Sequence, residues 1–138
     1  MTQTPFRVLP RVTPRNEHFW TGGARGELRF LRCGACGFFV HPPTPRCPTC
    51  LAKELRPEAV SGRARVVSYT WNHQAWVPAP DHPYPIAIVE IAEQPGLRLM
   101  TNLVGCGRDE VHIGMAVRAT FEQHGDVYIP LFEPVREP

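Results

Sequence analysis

LRFLRCGACGFFVHPPTPRCPTCL, residues 28–51, carries four of the chain's five cysteines as two pairs, Cys33-x-x-Cys36 and Cys47-x-x-Cys50, with ten residues between the pairs. A C-x-x-C turn brings two thiolates near one point, and a second such turn facing it closes a tetrahedron around a metal ion. Zinc has no geometric preference of its own, so four thiolates at about 2.3 Å satisfy it and leave no position open for a substrate. Cys33, Cys36, Cys47 and Cys50 are therefore expected to hold one structural zinc per chain. Gly37, after the first knuckle, can take φ > 0 and aim backbone N–H groups at sulfur, while Pro48 stiffens the second. Residues 37–46, GFFVHPPTPR, read as a short strand and a proline-stiffened return. Together these features describe a zinc ribbon.

Ordinary thiols or two disulfides are the plain alternative, disfavoured by the spacing and by an N-terminus without a secretory signal. Iron is a better rival, because CxxCG and CPxC also resemble rubredoxin knuckles. The short gap between the pairs and the lack of a partnering redox motif weigh against electron transfer. His41 lies close enough to compete as a ligand, but four cysteines already fill the site, so it reads as a surface or second-sphere histidine. Cys106 is left over between Gly105 and Gly107 and reads as a quiet loop thiol.

At 138 residues the chain has room for one ordinary domain, or for a metal-stapled module beside one small barrel. No apolar run approaches the roughly 18 residues that span a bilayer. Met1–Pro5 has neither the basic nor the apolar region of a signal peptide, so a cytoplasmic, reducing location is expected. The net charge of +2 hides an asymmetry. Residues 1–59 carry nine basic and four acidic side chains, whereas residues 60–138 carry six and nine. Lys53 is the one lysine among fifteen basic residues, and arginine suits bidentate contact with phosphate or carboxylate. Genomic composition can produce the same bias.

Along the chain, residues 1–12 look like an extended arm. Thr13-Pro14 predicts a helix start, with Thr as cap and Pro in the first turn, running to Phe19-Trp20 and ending at Gly22-Gly23. So short a helix needs Phe19 and Trp20 to pack on something, by default within the same chain. Residues 27–32 alternate as a strand feeding the first knuckle, and residues 51–57 read as a linker. From Ser61-Gly62 onward the pattern is all-β. Strands are predicted at 63–71, 86–91 (apolar enough to be buried on both faces), 97–104, 116–123 and 127–132, with a loop at 105–114. Five short strands with Gly and Pro punctuation suggest a small closed or partly closed barrel. The predicted organisation is an arm and short helix over 1–27, the ribbon over 28–58 and the barrel over 59–138.

Between the first two barrel strands lies Trp71-Asn-His73-Gln-Ala-Trp76-Val-Pro-Ala-Pro-Asp81-His82-Pro83-Tyr84-Pro85. Aromatic residues with polar tips on a proline-stiffened loop suit an interface or a ligand cleft. A plug for the barrel mouth is the plainer reading.

This order of elements resembles the small zinc-ribbon and OB-fold proteins associated with thiolases and acyl-CoA metabolism, long catalogued as a domain of unknown function. The matching residues are Phe19-Trp20, Gly26-x-Leu28, Arg32-Cys33-x-x-Cys36-Gly37, Cys47-Pro48-x-Cys50, Gly62-x-Ala64-x-Val66-x-Ser68-Tyr69-Thr70 and Ile113-Gly114-x-x-Val117. The likeness covers nearly the whole chain and implies a mainly β protein: a short helix, a rubredoxin-like zinc ribbon and a five-stranded OB-fold barrel. It implies a non-catalytic accessory subunit that binds a thiolase-like partner and helps to hold an acyl-CoA substrate. A stand-alone member this short looks most like the partner of a lipid-transfer-protein-like aldolase of steroid side-chain degradation. There, retro-aldol cleavage of a CoA thioester releases a short acyl-CoA and a 17-ketosteroid, and the acid and base residues belong to the partner. Two copies flanking a partner dimer is the symmetric expectation. The second knuckle departs from the family's CPxCG form, since Leu51 follows Cys50, which puts the local hydrogen bonding to sulfur in doubt.

The sequence has no nucleophile triad, paired cleft carboxylates, phosphate-cradling glycine loop or open metal site, which fits an accessory role. Coenzyme A carries phosphates, so the basic arm and ribbon, with Arg29 and Arg32, are expected to lie against it. Phe19, Trp20, Trp71, His73, Trp76 and Tyr84 are the expected contacts to acyl group or partner. The alternative is a single-stranded nucleic-acid-binding module. That needs a positive groove with stacking aromatics on the barrel, and this barrel half is net negative. A thioesterase built on His73 or His82 has only Asp81 nearby as an orienting carboxylate.

Overall fold

The structure, a computed structural model, describes residues 7–74 and 83–136. Most of the aromatic loop, with Trp76, Asp81 and His82, lies outside the described residues, as does the start of the arm.

The N-terminal segment is helical but shorter than the sequence suggests. Thr13 opens a turn whose carbonyl accepts the N–H groups of Asn16 and Glu17, and the Asn16 side chain reaches back to the Thr13 N–H at 2.7 Å. The return half of a capping box is thus present, with the Thr13 carbonyl and not its hydroxyl accepting the Asn16 N–H. The α-helix itself, α1, spans only Glu17–Thr21. Gly22-Gly23 does not end the helical path, which tightens into a 3₁₀ turn over Gly22–Arg25 and stops at Gly26, φ 69°. Gly23 serves close approach, since a side chain there would collide with Phe121 and Tyr128.

The ribbon is a three-stranded antiparallel sheet in the order β2-β1-β3, with β1 Leu28–Cys33, β2 Phe39–Val40 and β3 Leu55–Val60. β3 corrects the linker expected at residues 51–57. All six of its residues pair with β1, from Cys33↔Leu55 to Leu28↔Val60. Pro57 is tolerated because β3 is an edge strand, where a missing N–H costs no ladder bond.

Ser61-Gly62 turns the chain into the second sheet, of order β6-β5-β4-β7-β8. Its strands are β4 Arg63–Asn72, β5 Tyr84–Ile91, β6 Arg98–Asn102, β7 Ala116–His124 and β8 Val127–Pro134. The sheet closes through a parallel bridge between Leu103 and Phe132, with the Val104 N–H donating to the Phe132 carbonyl at 2.9 Å. Thr101 Oγ1 adds a buried bond to the Pro130 carbonyl at 3.1 Å. Five antiparallel strands closed by one parallel contact make the OB-fold barrel. β5 is not buried on both faces: Pro85, Ala87, Val89 and Ile91 face the core, while Ile86 and Ile88 are half-exposed on the outer surface.

One core joins the two sheets. Phe19, Leu28, Phe30 and Phe39 from the helix and ribbon pack in the same cluster as Val66, Val89, Val117 and Phe132 from the barrel. Beside it, the Gln94 amide bridges β2 like a strand edge: it accepts the Phe39 N–H at 2.8 Å and donates to the Phe39 carbonyl at 2.9 Å. The described part of the arm is docked rather than free, because Arg7 pairs with Glu122 at 2.6 Å and with Asn102.

Candidate metal centre and its surroundings

The two knuckles are built alike. In the first, the Cys33 N–H donates to the Phe38 carbonyl and the Gly37 N–H to the Cys33 carbonyl. In the second, the Cys47 N–H donates to the Ala52 carbonyl and the Leu51 N–H to the Cys47 carbonyl. The sulfurs are served in the same register. Cys33 Sγ accepts from Ala35 and Cys36, and Cys47 from Thr49 and Cys50, while Cys36 takes the Phe38 N–H and Cys50 the Ala52 N–H. Leu51 therefore does not disturb the bonding to sulfur. It occupies the glycine position of the second knuckle in the same left-handed conformation, φ 67° against 82° at Gly37.

All four Sγ atoms lie within 4.8 Å of one another, with Cys33–Cys50 and Cys36–Cys47 each at 3.6 Å. Four thiolates about 2.3 Å from a common zinc would stand about 3.8 Å apart, so the set fits a tetrahedral ion with modest adjustment. Cys33 and Cys47 are buried; Cys36 and Cys50 face out. Their acidities divide the same way. The N–H of Cys36 leads in lowering the Cys33 thiol. Burial opposes ionisation of Cys47, but the N–H groups of Cys50 and Thr49 outweigh it and bring the thiol down to about 6. The Ala52 N–H favours a Cys50 thiolate, yet the neighbouring Cys33 sulfur and burial push that thiol up to about 12. Each knuckle thus pairs one thiol made more acidic with one made less so, and since a metal binds thiolates its uptake releases protons.

His41 is neither a surface group nor beside the thiolates. It is half-buried between Phe19 and Phe30, with ring centroids at 4.8 and 5.0 Å, and its Nδ1 is buried without a partner. Burial, then the neighbouring His18, pushes its pKa down to about 4. Aromatic neighbours 11 and 22 positions away in sequence put it in the core, and nothing local to residue 41 signals that.

The other expected contact residues fall into three places. Phe19 is buried in the core, and Trp20 packs edge-on against it at 4.7 Å. Arg29 and Arg32, three apart on β1, project to opposite faces. Arg32 is committed: it lies over the Phe39 ring at 4.6 Å, donates to the Gly37 carbonyl at 2.9 Å and pairs with Glu58 at 2.6 Å. Trp71, His73 and Tyr84 do come together, at the barrel mouth. Arg108 sits 5.7 Å above the Trp71 ring and meets His73 Nε2 at 3.2 Å, while Trp71 and Tyr84 line a small cleft of about 380 Å³ with Leu103 and Cys106. Burial, then Glu110, raises the Cys106 thiol, in keeping with a quiet thiol. Among the described residues no helix is long and apolar enough to cross a membrane.

Two family models match the chain in tandem: the ChsH2 rubredoxin-like zinc ribbon domain over residues 20–56 and the ChsH2 C-terminal OB-fold domain over residues 57–122. The chain belongs to the ChsH2 zinc-ribbon/OB-fold family. Among solved structures, a chain of the "Ltp2-ChsH2(DUF35) aldolase" superposes with a TM-score of 0.81 at 34% identity, covering 91% of this chain and 98% of that one. A probable enoyl-CoA hydratase alpha subunit of Thermomonospora curvata is 37% identical over 96% of this chain. The 3-oxo-4,17-pregnadiene-20-carboxyl-CoA hydratase alpha subunit of Mycobacterium tuberculosis is 36% identical over 92%. The alignments span only 42% and 40% of these two curated relatives. Family membership agrees with the thiolate geometry, and the site is consistent with zinc.

Proposed function

We propose that this chain is a non-catalytic accessory subunit of a thiolase-fold enzyme acting on acyl-CoA thioesters, a retro-aldolase of steroid or related side-chain degradation in the cytoplasm. The observation that carries the reading is the end-to-end likeness to a chain of the Ltp2-ChsH2(DUF35) aldolase. The steroid assignment draws on the pregnadiene-carboxyl-CoA hydratase subunit. In this reading each chain holds one zinc through Cys33, Cys36, Cys47 and Cys50, and the ion shapes the ribbon rather than touching substrate. Two copies flank a partner dimer. Trp71, His73 and Tyr84, gathered under Arg108 at the barrel mouth, face the partner or the acyl group, and the acid and base residues of the cleavage belong to the partner.

Reconstitution tests this. The thiolase-fold protein co-purifying with the tagged chain is assayed for retro-aldol release of a 17-ketosteroid from a 17-hydroxylated side-chain CoA thioester. The assay is run alone, with the native chain and with a Trp71→Ala, Tyr84→Ala variant. Cleavage that needs the native chain, while the chain alone is inert, supports the proposal. Cleavage by the isolated chain, or equal cleavage without it, contradicts it.

A further inference from the structure

A cleft of about 1010 Å³ lies where α1, β1 and the segment after the second knuckle meet. Its lining is strongly cationic. Arg15 comes from the turn before α1, Arg25 from the end of the 3₁₀ turn, Arg29 from β1 and Lys53 from the approach to β3, against a single lining carboxylate, Glu17. Arg29 has only a 3.8 Å approach to Glu27, and Arg15, Arg25 and Lys53 have no ion pair among the described residues. Elsewhere five arginines hold a carboxylate within 3.2 Å, in Arg7–Glu122, Arg32–Glu58, Arg98–Glu90, Arg118–Glu133 and Arg136–Glu110, an approach that none of the four cleft cations makes among the described residues. Four like charges gathered round one cleft repel one another, and an anion placed among them removes that cost.

The floor of the cleft points the same way. His18 is 7% exposed and lines it, and neither His18 Nε2 nor Arg29 Nε has a hydrogen-bond partner. Native proteins leave few buried polar atoms unpaired, so two beside one cavity call for an explanation. Arginine forks match phosphate oxygens two at a time, and lysine adds a point charge.

We infer that this cleft binds the phosphate-bearing part of a small ligand, with Arg15, Arg25, Arg29 and Lys53 as its phosphate contacts. The site departs from the expectation that Arg29 and Arg32 act together, since Arg32 lies on the other face of β1. The inference rests on the proposed function only for the ligand's source, which would then be the phosphates of coenzyme A.

Titration calorimetry on the zinc-loaded full chain tests it, with inorganic pyrophosphate, ADP and coenzyme A as probes. The variants are Arg25→Gln with Lys53→Gln, both exposed and without an ion pair among the described residues, and Arg63→Gln, exposed on β4, as a control away from the cleft. Pyrophosphate is expected to bind one per chain, weaken about tenfold or more in the double variant, and be unaffected by Arg63→Gln. Tighter binding of coenzyme A than of ADP identifies the thioester carrier as the source, and equal binding identifies a free nucleotide. Absence of pyrophosphate binding, or binding that survives the double variant while zinc content and melting stay native, overturns the site. A chain that supports retro-aldol cleavage yet binds no pyrophosphate loses the cleft and keeps the proposed function; the reverse pattern keeps the cleft and loses the function.

Discussion

The ribbon and the barrel reach order by different physics. The barrel closes on itself and supplies most of the shared core, Val66, Val89, Val117 and Phe132 among it. The ribbon has a two-residue β2, an exposed edge strand β3, and a core that it borrows from the barrel through Phe30, Phe39 and the Gln94 bridge. What fixes its two knuckles is the convergence of four sulfurs. One region is held by apolar area and the other by a site whose four thiolates suit a metal ion, so the two should fail under different insults.

The widest separation comes from the metal. Chelation, or Cys47→Ser, should remove a stabilisation on the order of 10 kcal/mol from the ribbon, since metal binding in such sites is folding free energy. Hydrogen exchange should show residues 33–52 losing protection while β4, β5, β7 and β8 keep theirs. Simultaneous loss in both sheets would mean that the shared core makes them one cooperative unit. Phe132→Ala probes the other side of the comparison. Phe132 is fully buried at the closing strand, and truncation should cost about 3–5 kcal/mol in a denaturant titration at constant zinc occupancy.

Acid should act at the seam between the regions. The unfolded His41 takes a proton near 6.5 and the folded one not until about 4. Stability is therefore full above that window and is lost as pH falls through it, by up to about 3 kcal/mol. Thiolate protonation adds to the loss in wild type, so the informative number is the difference: His41→Phe should lose less between pH 7 and pH 5 in urea titrations. An equal loss would move the acid sensitivity away from His41, to the metal site and to His18, whose pKa burial and then Arg29 also lower. The smallest effect expected is a gain. Leu51→Gly relieves the left-handed backbone at the second knuckle and should stabilise the ribbon by about 1 kcal/mol, read as a slower rate of zinc loss to a chelator.

Much of this was legible in the sequence because its causes are local. C-x-x-C spacing fixes two sulfurs within one turn, and the alternation of Val117, Ala119 and Phe121 marks the side of β7 that packs on the core. The residues that misled are those whose environment comes from elsewhere in the chain. β3 carries Pro57 and exposed side chains, because an edge strand needs neither alternation nor every N–H. Ile86 and Ile88 read as doubly buried, yet the outer barrel face leaves them half-exposed. His41 sits next to the knuckles in sequence but in an aromatic core in space. The cationic cleft was invisible as a site, since Arg15, Arg25, Arg29 and Lys53 meet only once α1 folds over β1.

The most direct test of the accessory-subunit account is native mass spectrometry of the complex captured by the tagged chain from a lysate of its own host cells, with zinc measured on the same sample. The account predicts a thiolase-fold protein in equal copy number, two of each, with one zinc per copy of this chain. Recovery of the chain with single-stranded nucleic acid and no thiolase-fold partner would contradict it.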